Sequence, residues 1–404
     1  MLEGIRVVEM GLWVAGPAAA GLLADWGADV IKIEPPSGDP MRAFFRLSTG
    51  SKVERNPPFD LDNRGKRSVA LDLRVPAARE AAQRIVDRAD VFVTNMRPDA
   101  LERIGFDPDT LHARHPRLVY ASITGYGRQG ADRARPGYDV GAFWARSGVA
   151  DTLTVAGGPP PMIRGGFGDH VTALAAASGI LAALLERQRT GRGRIVETSL
   201  LRTGMYCLGW DLNIQLQFDK LRAPVARTET ETPLMNSYRA GDGKWFWLIG
   251  LEADRHFPGL LRAVAHEEIA RDERFHDARS RRHHRVALIA LLDAVFATRP
   301  LAEWAARFDA EDVWWAPVQS PAEVIADPQA AAAGAFVDVQ TTDGEPVRAI
   351  ASPIGVEGPA RTLGPVPRLG AHTEQALREA GLGDAEISEL RNAGAMANAD
   401  PHKR

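Results

Sequence analysis

An α/β fold with a parallel sheet is predicted by two patterns in the sequence. Short apolar runs alternate with helical stretches over the first hundred residues, the mark of βαβ units. A hairpin and a group of helices then interrupt the alternation before strand-like pieces return, so a smaller α+β domain reads as inserted into a larger one. The length of 404 residues is enough for a large core and two domains.

The elements follow in order. Residues 5–10 form a short apolar strand. Residues 15–26 form an apolar helix opened by Gly16-Pro17, with proline in the first turn, where its missing N–H costs nothing. Gly27 ends that helix, and residues 30–33 and 68–73 are the second and third strands. The helix 76–88 leads to a strand at 91–94, and 118–124 is another strand. A long Ala/Leu-rich helix opens at Asp169, which suits an N-cap, and runs to about 189. The turn Thr190-Gly191-Arg192-Gly193 leads to a strand at 194–199 and a helix over 200–217. Residues 219–233 are polar and aperiodic, a candidate linker. Residues 238–247, with Gly241-Asp242-Gly243 inside, read as a hairpin. Helical patterns follow at 254–265, 285–298, 301–308 and 321–333, and strand-like pieces near 336–340 and 347–354. The implied division is 1–220 for the first part of the large domain, 221–335 for the smaller one, 336–393 for the return and 394–404 for a disordered tail.

Composition excludes several classes. Hydrophobic residues at 45% and charged residues at 25% suit a soluble globular protein. A net charge of −3 argues against a nucleic-acid partner. The basic run from Arg279 to Arg285 has acidic neighbours and reads as the solvated start of a helix. The single cysteine, Cys207, forms no disulfide within the chain and reads as buried packing, which fits a reducing cytoplasm. The start leads straight into a strand with no signal-peptide pattern, and the apolar stretch 172–185 is too short to span a bilayer, so no membrane partner is expected. No CxxC or HExxH spacing calls for a metal.

Two features carry chemistry. Gly11, Gly16 and Gly21 surround the first βα turn, and Glu34 ends the second strand, where an acid meets a ribose in dinucleotide folds. The glycines stand five apart, however, and the bulky Trp13 fills the turn, so close packing of helix on strand is the simpler reading. The second feature is Arg164-Gly165-Gly166-Phe167-Gly168-Asp169-His170. A carboxylate at the mouth of a glycine turn is exposed enough to meet a substrate and fixed enough to be aimed. Asp169 is therefore either a catalytic group or only a helix cap. His170, its helical neighbour, reads as an ordinary helix-start residue. Arg42, Lys66, Arg67, Arg74, Arg97 and Arg103 are candidate phosphate ligands near strand and helix ends.

An ordered series of segments then matches a known family. It includes Ile5-Arg6-Val7-Val8-Glu9, Ala15-Gly16-Pro17, Gly27-Ala28-Asp29-Val30-Ile31-Lys32-Ile33-Glu34, Gly38-Asp39-Pro40-Met41-Arg42 and Asn63-Arg64-Gly65-Lys66-Arg67-Ser68. It continues through Ala89 to Pro98, Pro136-Gly137-Tyr138-Asp139, Gly168-Asp169, Thr190 to Gly193, Tyr238 to Gly243 and Ala316-Pro317-Val318. The chain resembles class III CoA-transferases, the carnitine/bile-acid (CaiB/BaiF) group, over about residues 2–375. The resemblance implies a large doubly wound, Rossmann-like domain with an inserted smaller domain, in an interlocked homodimer.

The resemblance also implies the chemistry. Asp169 attacks an acyl-CoA thioester, forming an aspartyl anhydride and then an aspartyl-CoA thioester, and a free carboxylic acid takes over the CoA. Coenzyme A is the carried group. Trp13, Val14 and Ala15 should meet the pantetheine and thioester. Leu71, Arg74, Asn95, Met96 and Arg103 should line the nucleotide end. Arg42 stands in for an arginine that other members carry near Pro35-Pro36, and Tyr138 lies along the pantetheine arm. The amides of Gly165, Gly166 and Gly168 are candidate oxyanion donors.

The chain departs from the formyl-CoA transferases in carrying Val14 where they have Gln, and in lacking glycine across 222–233. An acid larger or more apolar than formate is therefore expected, with Trp210, Trp245 and Trp247 as possible walls. The related α-methylacyl-CoA racemases carry a His where this chain has Tyr138, and a phenol of pKa about 10 is a poor base. Racemase ranks below transferase, and a non-catalytic CoA-binding protein ranks below both.

Overall fold

The computed structural model describes residues 1–50, 55–155, 157–221, 223–341, 345–357 and 363–397. In chain order the elements are β1 (Arg6–Met10), α1 (Ala15–Asp25), β2 (Asp29–Glu34), α2 (Met41–Thr49), α3 (Pro57–Asn63), β3 (Arg67–Ala70), α4 (Pro76–Val86), β4 (Val91–Thr94), α5 (Pro98–Ile104), α6 (Pro108–Arg114) and β5 (Val119–Thr124). A π-helical turn (Val140–Ala145) and α7 (Val149–Thr152) precede α8 (Phe167–Thr190), β6 (Ile195–Ser199), α9 (Leu200–Cys207) and α10 (Gly209–Phe218). Then come β7 (Met235–Arg239), β8 (Trp245–Ile249), α11 (Ala253–Val264), α12 (Ala278–His283), α13 (Arg285–Phe296), α14 (Leu301–Ala310), β9 (Trp315–Pro317), α15 (Pro321–Ala326) and α16 (Pro328–Ala332). β10 (Phe336–Val339), β11 (Val347–Ile350), α17 (Thr373–Glu379) and α18 (Asp384–Asn392) close the series. Contacts divide the chain into two units: Met1–Asp151 with Pro161–Leu221 and Ala332–Arg404, and Thr152–Pro160 with Arg222–Ala331.

The first unit is built on a six-stranded sheet in the order β3-β2-β1-β4-β5-β6. Every pairing is parallel. Side chains alternate across it, as the pleat requires. Val8, Met10 and Phe92 pack with Ala78, Ile85, Leu377 and Leu390 of α4, α17 and α18. Val7, Val91 and Val93 pack instead with α1 and α8, through Ala19, Leu23, Ala173, Ala177 and Ile180. Both faces of the central strands are covered, so β1 and β2 bury apolar residues toward each, interrupted by the buried charges Glu9, Lys32 and Glu34 toward their carboxyl ends. The strand order reverses between β1 and β4, and in such sheets ligands bind beyond the carboxyl ends of the strands at that point.

Small residues on α1 let a third helix in. A Cβ on Gly21 would lie 2.6 Å from the Asp62 carbonyl oxygen, so only glycine there permits α3 to rest on α1. Asn56 caps α3, accepting from the Phe59 amide.

In the second unit, β7, β8 and β9 form an antiparallel sheet. Tyr238, Phe246, Phe296, Trp304 and Phe308 make its aromatic core. The expected hairpin is β7–β8, with Gly243 at φ 85° in its turn. β9 had no counterpart in the sequence reading, being three residues that end in Pro317 at a sheet edge.

Several expectations are corrected. Cys207 is exposed, not buried, on the same stretch of α9 as the exposed Met205 and Tyr206. Arg281 within the basic run is buried rather than solvated. It lies 4.3 Å over the Phe257 ring and pairs with Asp254. The helix expected over 200–217 breaks at Leu208 into α9 and α10. Ala395 and Met396 are packed rather than disordered: Met396 bridges Leu71, and the Asp72 amide donates to the Ala395 carbonyl at 2.8 Å. The rest of the expected tail, 398–404, lies outside the described residues, as does Arg222 of the expected linker. α8 proves longer than the stretch 172–185 and is, by length and composition alone, long and apolar enough to cross a membrane. Its buried face packs on α1, β5 and β6.

Candidate active site

The loop after β1 and the residue after β4 meet at the reversal of strand order. Asn95 clasps Leu12 there: Oδ1 accepts from its amide at 2.9 Å, and Nδ2 donates to its carbonyl at 2.7 Å. Lys32 donates to the Gly11 carbonyl at 2.9 Å, and Asp39 accepts from the Trp13 amide at 3.1 Å. Three successive residues are thus held from outside the loop. Trp13 sits at φ 66°, a left-handed conformation unusual for so large a side chain. Its ring meets Phe44 and Tyr138 edge-on, with centroids 5.7 and 5.9 Å away.

The clamp is anchored by buried charge. Lys32 and Lys66 both donate to Glu9, at 2.7 and 2.6 Å, and all three side chains are fully buried. Burial alone would raise the Glu9 carboxyl, but the two ammonium groups overcome it and hold Glu9 below its usual range.

This arrangement removes the dinucleotide reading. Cβ atoms on Gly11 and Gly16 would lie 3.1 and 3.0 Å from Asn95 atoms, so these glycines make room for Asn95. Glu34 is buried, gripped by Arg42 at 2.8 and 2.6 Å and by the Ser68 hydroxyl at 2.7 Å.

The second half of the site is the start of α8. The helix begins at Phe167, after Gly166 at φ 82°, and Asp169 is its third residue. The expectation that Asp169 caps α8 is corrected: its side chain makes no capping bond. Asp139 caps the helix instead. Both Asp139 oxygens accept from the Gly168 amide at 3.2 Å, and the Gly166 and Asp169 amides also turn toward it. The free N–H groups of a helix start attract an anion, and here a side chain supplies it. The Gly168 amide is therefore occupied and is not an oxyanion donor. Gly168 is required on packing grounds, since a Cβ would lie 2.2 Å from the Phe143 ring.

Among the described residues the Asp169 carboxylate has no hydrogen-bond partner. It is half-buried, and its pKa is pushed up to about 7, by burial first and then by Asp139 and Asp62, with His170 opposing. The expectation that His170 is an ordinary helix-start residue is corrected. Its Nδ1 lies 2.7 Å from the Gly166 carbonyl and its Nε2 3.0 Å from Asp62 Oδ1. The Asp62 bond raises the imidazole against the effect of burial. The sequence carries no local signal for this pair, because 108 positions separate its members.

The remaining candidates divide. Val14 is half-buried and lies 3.7 Å from where a Gly166 Cβ would stand, so the β1 loop and the Gly166 turn are neighbours. Ala15 is buried and Tyr138 exposed beside Trp13. Leu71 is buried in the core that Met96 packs against. Arg42 is committed to Glu34, Arg74 to Asp72, Arg67 to Asp29 and Glu379, and Lys66 to Glu9, Asn63 and the Pro17 carbonyl. Arg97 and Arg103 share an open cavity of about 580 Å³ with Asp99, Ala100, Glu102 and Ala134. Trp210, Trp245 and Trp247 are not core residues: they are 83%, 40% and 45% exposed. No group of His, Cys, Asp and Glu among the described residues is arranged to hold a metal ion.

Along almost its whole length the chain is similar to known proteins. A family model described as CoA-transferase family III matches residues 2–373. The (R)-2-hydroxy-4-methylpentanoate CoA-transferase of Clostridioides difficile is 31% identical over 395 residues, covering 97% of this chain and 98% of that protein. The cinnamoyl-CoA:phenyllactate CoA-transferase of Clostridium sporogenes is 32% identical, covering 96% of each. Among solved structures, a CaiB/BaiF family protein from Brucella suis superposes with a TM-score of 0.81 at 31% identity, over 94% of this chain and 99% of that one.

Proposed function

Because this chain belongs to CoA-transferase family III and is an enzyme that transfers CoA, we propose that it exchanges CoA between an acyl-CoA and a free carboxylic acid through covalent attachment to Asp169. The carboxylate oxygen attacks the thioester carbonyl, the C–S bond breaks and CoA leaves as the thiolate, giving an aspartyl anhydride. The thiolate attacks the aspartyl carbonyl and releases the first acid. The second acid attacks the aspartyl-CoA thioester, and the thiolate then takes the new acyl group and frees Asp169.

One observation carries this reading. Asp169 is a carboxylate without a hydrogen bond among the described residues, at the start of α8, in a setting that holds it near the midpoint of ionisation at neutral pH. Raised basicity makes an oxygen nucleophile stronger, provided the group still ionises. The racemase reading lacks its second base. Tyr138 stands at the expected histidine position, and both nitrogens of His170 are engaged. The acceptor belongs to acids larger than formate. Val14 presents an apolar side chain beside the Gly166 turn, and the two relatives above are named for 2-hydroxy-4-methylpentanoate and phenyllactate.

We also propose the interlocked homodimer. Tyr206, Trp210, Leu216 and Phe218 on α9 and α10 are exposed in the single chain, more apolar surface than a lone helix pair carries without a partner.

The test is chemical. Incubation with acyl-CoA followed by hydroxylamine should convert Asp169 to its hydroxamate, seen by peptide mass spectrometry, and Asp169→Ala should lose transfer while keeping its fold. An Asp169→Ala protein that still transfers CoA overturns the mechanism. Solvent deuterium at the α-carbon without CoA transfer points to the racemase instead.

A further inference from the structure

We propose that Asp62 and His170 are positioning residues for the transfer reaction: the imidazole, held between two acceptors, is a fixed cation that keeps Asp169 charged among neighbouring carboxylates. The inference rests on the reading of Asp169 as the nucleophile.

The hydrogen bonds define the state of the ring. A backbone carbonyl only accepts, so Nδ1 beside the Gly166 oxygen carries a proton. An ionised carboxylate only accepts, so Nε2 beside Asp62 Oδ1 carries one too. A ring protonated at both nitrogens is an imidazolium. Asp62 is nearly buried, its side chain 4% exposed. α3 holds it in place, lying where Gly21 leaves room.

The groups facing Asp169 are few. Asp139 approaches from the segment before the π-helical turn, Asp62 from α3, and His170 from α8 itself. Two are anions, and among the described residues His170 is the one cation. The nearby ammonium of Lys66 spends its donors on Glu9, Asn63 and the Pro17 carbonyl. Without a charged His170, Asp169 would face two carboxylates in a half-buried site and hold its proton to higher pH. His170 itself faces Asp62 and Asp169, both of which favour its charged form.

The experiment is the pH dependence of kcat/KM for acyl-CoA in the full-length enzyme. His170→Gln removes the cation and leaves the Asp62 anion, so the acid limb should move up by about one pH unit, with roughly tenfold loss on the acid side recovered at alkaline pH. His170→Arg should bring the limb back toward wild type. The double variant His170→Gln with Asp62→Asn should lie below the His170→Gln single variant, because both charges are gone. A folded His170→Gln enzyme whose limb stays in place overturns the inference. If that variant does not fold, NMR of labelled histidine in Asp62→Asn decides: His170 should titrate at lower pH than in wild type, and an unmoved titration overturns the inference. Activity surviving in Asp169→Ala removes the underlying reading. Activity lost there, with an unmoved limb in His170→Gln, removes only the pair.

Discussion

Asp169 holds its proton more tightly in the folded chain than in the unfolded one, and this fixes the sign of its effect on stability. Its pKa is about 7 when folded, against an unfolded value of 3.8. Between those values the folded state binds more protons, so stability falls as pH rises from about 4 to about 7 and then levels off. Asp169→Asn should therefore be more stable than wild type at pH 8 by ~1–2 kcal/mol, less than the full shift implies because the half-exposed group is screened. The advantage should vanish below pH 4. Urea denaturation at both pH values measures it, and equal stabilities at pH 8 would show that the site is not strained by its own carboxylate. At this scale the sequence was partly legible. The glycine turn singled out Asp169, because turn chemistry is local. Asp139 as the cap and Asp62 as the partner of His170 were not legible, because they approach through tertiary packing.

Helix α3 carries Asp62 and α8 carries Asp169 and His170, and a small residue on α1 governs how closely α3 approaches. Gly21→Ala should place a methyl group 2.6 Å from the Asp62 carbonyl and push α3 away. We expect a loss of about 1–3 kcal/mol in stability. Transfer activity should fall with an upward shift of the acid limb, as Asp62 separates from His170. Thermal unfolding and the pH profile of the same sample report the two effects, and a normal profile in a destabilised protein would uncouple α3 from the site. α8 was readable because periodicity accumulates with length, and the strands of the large sheet because their apolar residues bounded by turn signals mark them, each within a few residues of its true ends. The short helices were missed although their signals are present. Asn56-Pro57 and Asp107-Pro108 each pair a capping side chain with proline in the first turn. A helix of seven residues shows too little of its period to stand out among loops.

Over the whole molecule, sheet order decides where chemistry can sit. The reversal between β1 and β4 brings the Gly11–Val14 loop and Asn95 together, and no local pattern in the sequence states that order. The family resemblance implied a doubly wound sheet but not its strand order, which the structure supplies. The exposed apolar residues of α9 and α10 lead to an expectation at the same scale. Trp210→Asp should weaken self-association at least tenfold, and sedimentation equilibrium measures it. A monomeric wild type, or a variant that associates equally well, would remove α10 from the interface.

The clasp around Gly11, Leu12 and Trp13 has a consequence for how substrates are chosen. Lys32, Asn95 and Asp39 hold three successive residues, and the groups behind them are themselves bonded. That side of the site works as an anvil: its form is set before anything arrives and does not yield to what is pressed against it. On the proposed mechanism, selection among acids on this side would proceed by exclusion, and a change of preference would come from new side chains on the rim, such as at Val14.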